Sequence, residues 1–380
     1  MTSVAVTVEG VFHAPRLVHE LDRRDGLAQL VVGHPRWLVP GFSQPWRVMR
    51  PAWRSVAFSA RQPAPVRRAM SRVARRDRHD RFDAIAASVL TPDAEVVVAW
   101  SGSARRTLEV AASRGQARAL ERGATHIEVQ RDILEREYDA HGLTGGPMPD
   151  ARTVDSELRE YELADRIFVP SRFVRRSFVE RGVPEEKLAT VPYGIDVEAF
   201  GPPKPLPERF VIGHVGRISA QKGVHHLLRA ASNLPGAQLR LIGAVSPEVQ
   251  PHLDRHRSML AHVGPVARSR LAAAIARCSV VVLASVQDGF GMVVGEAMAC
   301  GRAVVCSTAA GAADIVEDGR DGYVVEAGDV DQLADRLARL ADDPALVASL
   351  GAAARRSAER QTWVRYGDRI WAEYERMLGR

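Results

Sequence analysis

Short β-rich runs alternate with amphipathic helical stretches along this chain of 380 residues. Such an alternation is typical of parallel sheets whose faces are covered by helices. The helical stretches, such as 330–343, have apolar residues at helical spacing. The strand candidates are AEVVVAW (94–100), DRIFVPS (165–171), RFVIGHVG (209–216), AQLRLIGA (237–244), SVVVLAS (279–285) and RAVVCS (302–307). The sequence therefore predicts an α/β protein with doubly wound parallel sheets.

Four prolines within residues 201–207 interrupt this alternation. Proline is excluded from the interior of helices and central strands, so the segment favours a stiff extended connector. A strand pattern restarts directly afterwards at Arg209, and a chain of 380 residues exceeds the usual size of one hydrophobic core. We therefore predict a first domain over residues 1–200, a linker over 201–208 and a second domain from residue 209.

The basic residues are mostly arginine, and their distribution is uneven. The formal net charge is +6, and 49 of the 52 lysines and arginines are arginine. Residues 61–81 contain eight arginines and two aspartates, which raises the local positive potential. This stretch is either a solvated helix face or a surface for an anionic acceptor or a membrane. It lacks the interleaved aromatic residues that stack on bases, so no nucleic-acid partner is predicted.

Neither a targeting signal nor a membrane span is predicted. The opening MTSVAVTVEGVFHA has no basic region before an apolar stretch, and the longest apolar runs fall far short of a span. We expect a cytoplasmic protein, with peripheral contact at the inner membrane face as an alternative. Cys278, Cys300 and Cys306 lack CxxC spacing, so neither a disulfide framework nor a zinc site is predicted.

The turn after the strand candidate 209–216 carries two cations. Ligands of doubly wound sheets bind beyond the carboxyl ends of the strands, which directs attention to Gly216, Arg217 and Lys222. Two cations beside a helix N-terminus suit a phosphate or a pyrophosphate. The glycine spacing differs from that of a Walker loop. The alternative is an ordinary surface loop with two basic residues.

The stretch QDGFGMVVGEAMACG at 287–301 carries two acids around a glycine turn. Gly289 and Gly291 allow a sharp turn and a close approach of backbone amides to a ligand. Asp288 and Glu296 could accept charge-assisted hydrogen bonds from the vicinal hydroxyls of a polyol. The alternative makes Glu296 a residue that complements the helix dipole, and GFG a loop. Combined with the cationic turn, the stretch indicates a nucleotide-sugar site.

Several segments resemble the retaining GT-B glycosyltransferases of glycosyltransferase family 4, also called glycosyl transferases group 1. Three further segments are similar to this family: the approach to the linker at 169–200, residues 311–329, and the helix 361–378. In that family the last helix returns to the first domain. The most specific segments are GRISAQKG (216–223) and VVLASVQDGFGMVVGEAMACGRAVVCS (281–307). The resemblance covers roughly residues 160–380.

The resemblance implies two Rossmann-like domains that face each other across a cleft. The second domain would cover 209–362, and residues 363–380 would return to the first domain, which binds the acceptor. A UDP- or GDP-linked sugar would be the co-substrate, with no cofactor and no metal. The acceptor would carry a hydroxyl group, and an anionic or lipid-linked acceptor is an alternative. The sequence carries no signal for the oligomeric state.

The resemblance also implies roles for individual residues. Arg217 and Lys222 would hold the donor diphosphate and stabilise the leaving phosphate, and Glu296 would bind the ribose. Asp288, where the family usually has glutamate, would be a catalytic-site residue whose carboxylate holds the transferred sugar. The other expected donor contacts are Gly10, Gly216, Gly289, Phe290, Gly291, Met292 and Val293. The family mechanism retains the anomeric configuration, and our working assumption is front-face attack.

The first domain offers fewer signals. Its opening strand ends near Gly10 and His13, where the family often has a glycine turn, although the paired glycines are missing. By the resemblance of residues 122–143, His126 is expected to face the cleft and contact the sugar or the leaving group; a structural histidine is the alternative. Ser171 is predicted to cap a helix.

Other functions remain open at this point. They are another GT-B enzyme, such as a sugar-nucleotide epimerase or a disaccharide phosphorylase, and a silent sugar-nucleotide binding homologue. The presence of Arg217, Lys222 and Glu296 argues against the silent homologue.

Overall fold

The computed structural model describes residues 2–33, 47–48, 78–232 and 234–380. Most of the arginine-rich stretch 61–81, including Arg67, Arg68, Arg72 and Arg75, lies outside the described residues. Two sheets with parallel strand pairs form the framework, one of seven strands in the order β3-β2-β1-β4-β5-β6-β7 and one of six in the order β10-β9-β8-β11-β12-β13. The predicted α/β class with doubly wound parallel sheets is confirmed.

The strands of the first sheet are β1 (Val4–Val8), β2 (Leu27–Val32), β3 (Arg47–Val48), β4 (Val96–Trp100), β5 (Ala117–Glu121), β6 (Arg166–Val169) and β7 (Leu188–Thr190). Those of the second sheet are β8 (Val211–Val215), β9 (Gln238–Ile242), β10 (Leu260–Gly264), β11 (Val280–Leu283), β12 (Ala303–Ser307) and β13 (Tyr323–Val325). Each of the six strand candidates contains one of these strands.

The helices that follow the strands of the first sheet are α1 (Ala14–Asp22), α2 (78–89), α3 (Arg105–Ser113), α4 (Ile127–His141), α5 (Ala151–Leu163) and α6 (Arg172–Val179). Those beyond the linker are α7 (Val224–Ala231), α8 (Gln250–Arg255), α9 (Leu271–Ile275), α10 (Met292–Ala299), α11 (Val330–Asp342), α12 (Pro344–Arg360) and α13 (Trp363–Met377). Within the described part of the chain, no helix has both the length and the hydrophobicity needed to cross a bilayer.

The central strands owe their position to unbroken apolar runs. Every residue of β1, β4, β8 and β12 is buried, as expected for strands that are covered on both faces. The last helix, α13, crosses back to the first sheet, where Tyr366, Ile370 and Tyr374 pack in one apolar cluster with Val4 and Val6. The predicted return of the C-terminal helix is confirmed.

The chain passes between the two sheets twice. At the first passage, the buried guanidinium of Arg302 donates hydrogen bonds to the carbonyl oxygens of Lys204, Pro205 and Ala276 at 2.9, 3.0 and 2.8 Å. These bonds attach the proline segment to the second sheet's domain. At the second passage, Gln361 accepts a hydrogen bond from the amide of Ile195 at 2.6 Å, so the two passages are joined. The domain boundaries at 200, 208 and 362 stay a prediction.

Candidate active site

The two turns singled out in the sequence follow neighbouring strands. β8 pairs with β11, so the turn 216–223 and the loop 286–292 leave the sheet side by side at its carboxyl edge. The amide of Val286 donates to the carbonyl of Gln221 at 3.0 Å. Gly223 has φ +65, and a Cβ atom there would lie 1.7 Å from the carbonyl oxygen of Ala284. Only glycine fits this contact between the two turns.

Lys222 and Asp288 form an ion pair between the two turns. The ammonium Nζ lies 2.5 Å from Asp288 Oδ2, and the side chains are 22% and 15% exposed. The predicted cation and the predicted acid are therefore in direct contact. Because both groups are partly shielded from water, their attraction is stronger than that of a surface pair.

Arg217 lies at the exposed start of the same turn. Its carbonyl oxygen is 3.3 Å from Nε2 of His214, whose ring is fully buried in β8. Burial lowers the pKa of His214 to about 4, so the imidazole is neutral at physiological pH. The Arg217 guanidinium forms no ion pair with any residue that the structure describes. It is accessible to an anionic ligand beside Gly216.

The loop after β11 is attached to the first domain. A Cβ atom on Gly289 would lie 1.9 Å from the carbonyl oxygen of Gly123, so the two backbones touch. The hydroxyl of Ser171 donates to the Gly289 carbonyl at 2.7 Å, and Gln287 Nε2 donates to Thr125 Oγ1 at 3.1 Å. The sequence did not predict these contacts, because they join segments more than a hundred residues apart.

Ser171 also caps helix α6, as predicted. Its Oγ accepts a hydrogen bond from the amide of Val174 at 3.2 Å. One hydroxyl thus serves both the helix start and the contact with the loop after β11.

The apolar residues of the loop after β11 pack against the protein core. Phe290 is 2% exposed, and its ring centroid lies 5.1 Å from that of Tyr193 in the core of the first domain. Met292 packs against the same core, whereas Val293 is buried in the core of the second domain. Their predicted donor contacts stay predictions and would involve backbone atoms for the buried Phe290 and Val293. Gly291 has φ +78 and starts α10.

Glu296 lies in the second turn of α10 and is 7% exposed. Its Oε1 atom is 2.6 Å from Arg268, whose side chain is 69% exposed and lies 5.4 Å from the centre of the Phe200 ring. Burial raises the pKa of Glu296, and Arg268 partly opposes the rise. Arg268 was not predicted from the sequence, because it comes from the short turn before α9 and has no signal at fixed spacing from Glu296.

The predicted cleft-facing orientation of His126 does not match the structure. Its ring is 3% exposed and lies 5.1 Å from the rings of Tyr161 and Phe178, both in helices of the first domain. Burial and the guanidinium groups of Arg122 and Arg181 lower the pKa of His126 to about 4. The physical reason is that two aromatic neighbours draw the ring into the core. The structural alternative therefore fits better than contact with the donor.

Gly10 and His13 follow β1 at the carboxyl edge of the first sheet. The exposed ring of Phe12 covers Gly10, and a Cβ atom there would lie 2.5 Å from that ring. His13 Nε2 lies 3.3 Å from the buried Glu121, and its ring centroid is 4.1 Å from that of Tyr193. The role of Gly10 stays a prediction. The contact between His13 and Glu121 was not predicted, because no sequence motif links the two residues.

Part of the chain is similar to a known protein family. Residues 209–343 match the family described as Glycosyl transferases group 1. Over this segment the chain is similar to that family. The matched segment contains both turns of the candidate site, and the resemblance predicted from the sequence is confirmed.

The D-inositol 3-phosphate glycosyltransferases of Mycobacterium tuberculosis and Mycobacterium bovis are among the relatives. They are 31% identical over 257 residues, which covers 62% of this chain and 53% of theirs. The chain therefore spans about half the length of the curated relatives it matches.

Two solved structures cover both sheets. HepE of Anabaena in complex with UDP and glucose has a TM-score of 0.71 and 17% identity, covering 99% of this chain and 100% of its own. Sucrose-phosphate synthase of Thermosynechococcus elongatus has a TM-score of 0.73 and 18% identity, covering 100% of both chains. At these identities the likeness concerns the fold, and it confirms the predicted GT-B architecture.

Proposed function

We propose that this protein is a retaining glycosyltransferase that moves a hexose from a UDP- or GDP-linked sugar to the hydroxyl group of an acceptor. The observation that carries the proposal is the contact of Lys222 with Asp288 at 2.5 Å. It places a cation for a diphosphate beside an acid for a sugar, at the carboxyl edge where ligands of such sheets bind.

The contact between Lys222 and Asp288 is compatible with donor binding. A lysine ammonium has three N–H donors, so Lys222 can keep one hydrogen bond to Asp288 and offer the others to phosphate oxygens. Arg217 would approach the diphosphate from the exposed side of the turn. Glu296 would accept hydrogen bonds from the ribose hydroxyls, and Asp288 with its glycine loop would hold the hexose.

In the proposed reaction, the bond between the anomeric carbon and the diphosphate oxygen breaks, and its electron pair stays on that oxygen. The acceptor hydroxyl oxygen bonds to the anomeric carbon on the same face, and its proton goes to the leaving phosphate. In this reaction Arg217 and Lys222 would face the oxygen on which charge develops, and they would stabilise the transition state more than the ground state.

The test is a screen of UDP- and GDP-sugars for hydrolysis and for an increase in Tm. HepE was solved with UDP, so UDP-sugars are the first to try. We expect one sugar nucleotide to be cleaved and its hexose to be transferred with retention. Conversion to a different sugar nucleotide without an acceptor would indicate an epimerase, and binding without turnover a silent homologue.

We also propose that turnover does not depend on a divalent metal at the diphosphate, because side-chain cations take that place. Initial rates should survive EDTA. Loss of the rate on chelation, with recovery on addition of Mg²⁺ or Mn²⁺, would contradict this mechanism.

We propose an anionic acceptor. The names of the mycobacterial relatives specify a phosphorylated inositol, and the arginine-rich stretch 61–81 belongs to the predicted acceptor domain. Replacing Arg67, Arg68, Arg72 and Arg75 together by glutamine should weaken acceptor use and leave donor hydrolysis unchanged. Added salt should have the same effect, since exposed charges are screened beyond about 8–10 Å. Acceptor kinetics that ignore both changes would contradict the idea.

A further inference from the structure

Four side chains that bind metals in other proteins converge outside the candidate active site. They are Glu137 and His141 near the end of α4, and His225 and His226 in the first turn of α7. One ligand atom from each lies within 4.8 Å of the others. α4 belongs to the first sheet's domain and α7 to the second's, so the cluster joins the two domains.

The distances are close to those of a tetrahedral metal site. Glu137 Oε1 lies 2.6 Å from His225 Nε2, 2.7 Å from His226 Nε2 and 3.7 Å from His141 Nε2. With metal–ligand bonds of about 2.0–2.1 Å, tetrahedral geometry separates the ligand atoms by about 3.3–3.4 Å. The observed distances fall on both sides of that value. Shifts of about 1 Å or less in these side chains would admit an ion.

The local structure directs these side chains together. Glu137 and His141 are four residues apart on one helix face, the spacing with which helices present paired ligands. Consecutive residues of a helix normally diverge. The rings of His225 and His226 nevertheless lie 3.9 Å apart, both buried, and both meet the same carboxylate oxygen.

The ligand set indicates the kind of ion. Three imidazoles and one carboxylate are nitrogen-rich, which suits Zn²⁺ and related transition metals, whereas Mg²⁺ and Ca²⁺ prefer oxygen ligands. Four protein ligands would complete a tetrahedral shell, as in structural zinc sites. Such an ion would hold the two domains together and would not take part in glycosyl transfer.

We propose that Glu137, His141, His225 and His226 bind one Zn²⁺-class ion that links the two domains. The cysteine spacing gave no sign of this site, and no metal was predicted from the sequence. Because α7 starts two residues after Lys222, the ion would also fix the cationic turn relative to the first domain.

The test is Zn²⁺ binding by the chelator-stripped full chain, measured by equilibrium dialysis with metal analysis. We expect one ion per chain in the wild type. Glu137→Gln removes a ligand from one domain and His226→Gln a ligand from the other. Each should weaken binding by at least about 10-fold, the lower end of the loss seen even for residues that only support ligands. His19→Gln, at an exposed histidine of α1, is the matched control and should bind as the wild type does.

Two further measurements do not need a nucleotide sugar and so are independent of the proposed function. Co²⁺ should give the intense visible bands of a tetrahedral site, and Zn²⁺ should raise Tm by a few degrees in the wild type but not in Glu137→Gln. Circular dichroism of the variants checks that they are folded. Absence of Zn²⁺ uptake at tens of micromolar metal, or uptake unchanged in both ligand variants, would overturn the proposal.

Discussion

The two carboxylates on either side of the glycine loop meet their cations differently. Asp288 pairs with Lys222 across adjoining turns, and both side chains are mostly shielded, at 15% and 22% exposure. The side chain of Glu296 is 9% exposed, but its partner Arg268 is 69% exposed. The first pair therefore holds two turns together, whereas in the second pair a solvent-exposed arginine contacts a buried carboxylate. An exposed cation is screened by water and contributes little stability.

In the proposed mechanism, this difference would give the two acids separate roles. In the proposed complex, Lys222 keeps its place and adds contacts to phosphate. Arg268 must instead share or release Glu296 before the ribose can reach it. Variants of the first pair should therefore affect the chemical step, and variants of the second should affect donor binding.

The largest effect is expected for the lysine of the first pair. Lys222→Ala should lower kcat by about 10²-fold or more, the scale of losing one contact to a developing oxyanion. Arg217→Ala should act in the same direction. Steady-state kinetics would measure both, with Lys204→Ala, at an exposed linker lysine, as the matched control. Turnover near the wild-type level in both folded variants would remove the assignment.

A smaller effect is expected for the acid of the second pair. Glu296→Gln keeps the shape of the side chain and removes its charge, so hydrogen bonds to the ribose lose their charge assistance. A hydrogen bond to a charged group contributes about 1.5–3 kcal/mol and a neutral one about 0.5–1.5 kcal/mol, so donor KM should rise by roughly 5- to 10-fold, with kcat less affected. An equal loss in kcat alone would place Glu296 in the chemical step and end the contrast with Asp288.

The cation of the second pair should change the pH dependence. Burial raises the pKa of Glu296, and Arg268 opposes that rise, so Arg268→Gln should raise the pKa further. The carboxylate would then take up its proton at a higher pH. As pH falls, donor affinity should decline earlier in the variant, while at high pH the variant should bind the donor at least as well as the wild type, because no arginine has to release Glu296. Donor titrations across pH measure this, and Arg270→Gln, at an exposed neighbour, is the control. Superimposable profiles would show that Arg268 does not act on Glu296.

The smallest effect is expected for His126, which contacts neither pair. Its ring packs on Tyr161 and Phe178, so His126→Phe should keep the packing and change kcat by less than about 2-fold, a difference of under 0.5 kcal/mol. A decrease of two orders of magnitude in a variant with unchanged Tm would restore the catalytic role expected from the sequence.

The sequence was most informative where a segment is buried on both faces. Strands such as β8 and β11 are continuous apolar runs, so they and the turns that follow them could be located. β10 was missed because its residues are alternately half-buried and exposed, which weakens the apolar signal of a buried strand. The resemblance to the family supplied the roles of residues in those turns.

Contacts between distant segments could not be predicted in this way. Arg268 reaches Glu296, and Tyr161 and Phe178 enclose His126, only because helices pack side by side. Only half of the proposed metal-binding cluster has a local sequence pattern, since Glu137 and His141 have the spacing of paired ligands on a helix. Their partners His225 and His226 lie in the other domain, and no local pattern connects the two helices.

The three hydrogen bonds from Arg302 have a mechanical consequence. They fasten Lys204 and Pro205 to the second domain, so we expect these two residues to move with that domain and not to act as a hinge. Bending between the domains is left to the backbone that precedes Lys204 and to the start of α13. Just before α13, the carbonyl oxygen of Gln361 accepts a hydrogen bond from the amide of Ile195, which joins the two passages. The two chain segments that pass between the domains would therefore have to rotate together. This would restrict opening of the cleft to a single axis and disfavour a twist of one domain against the other.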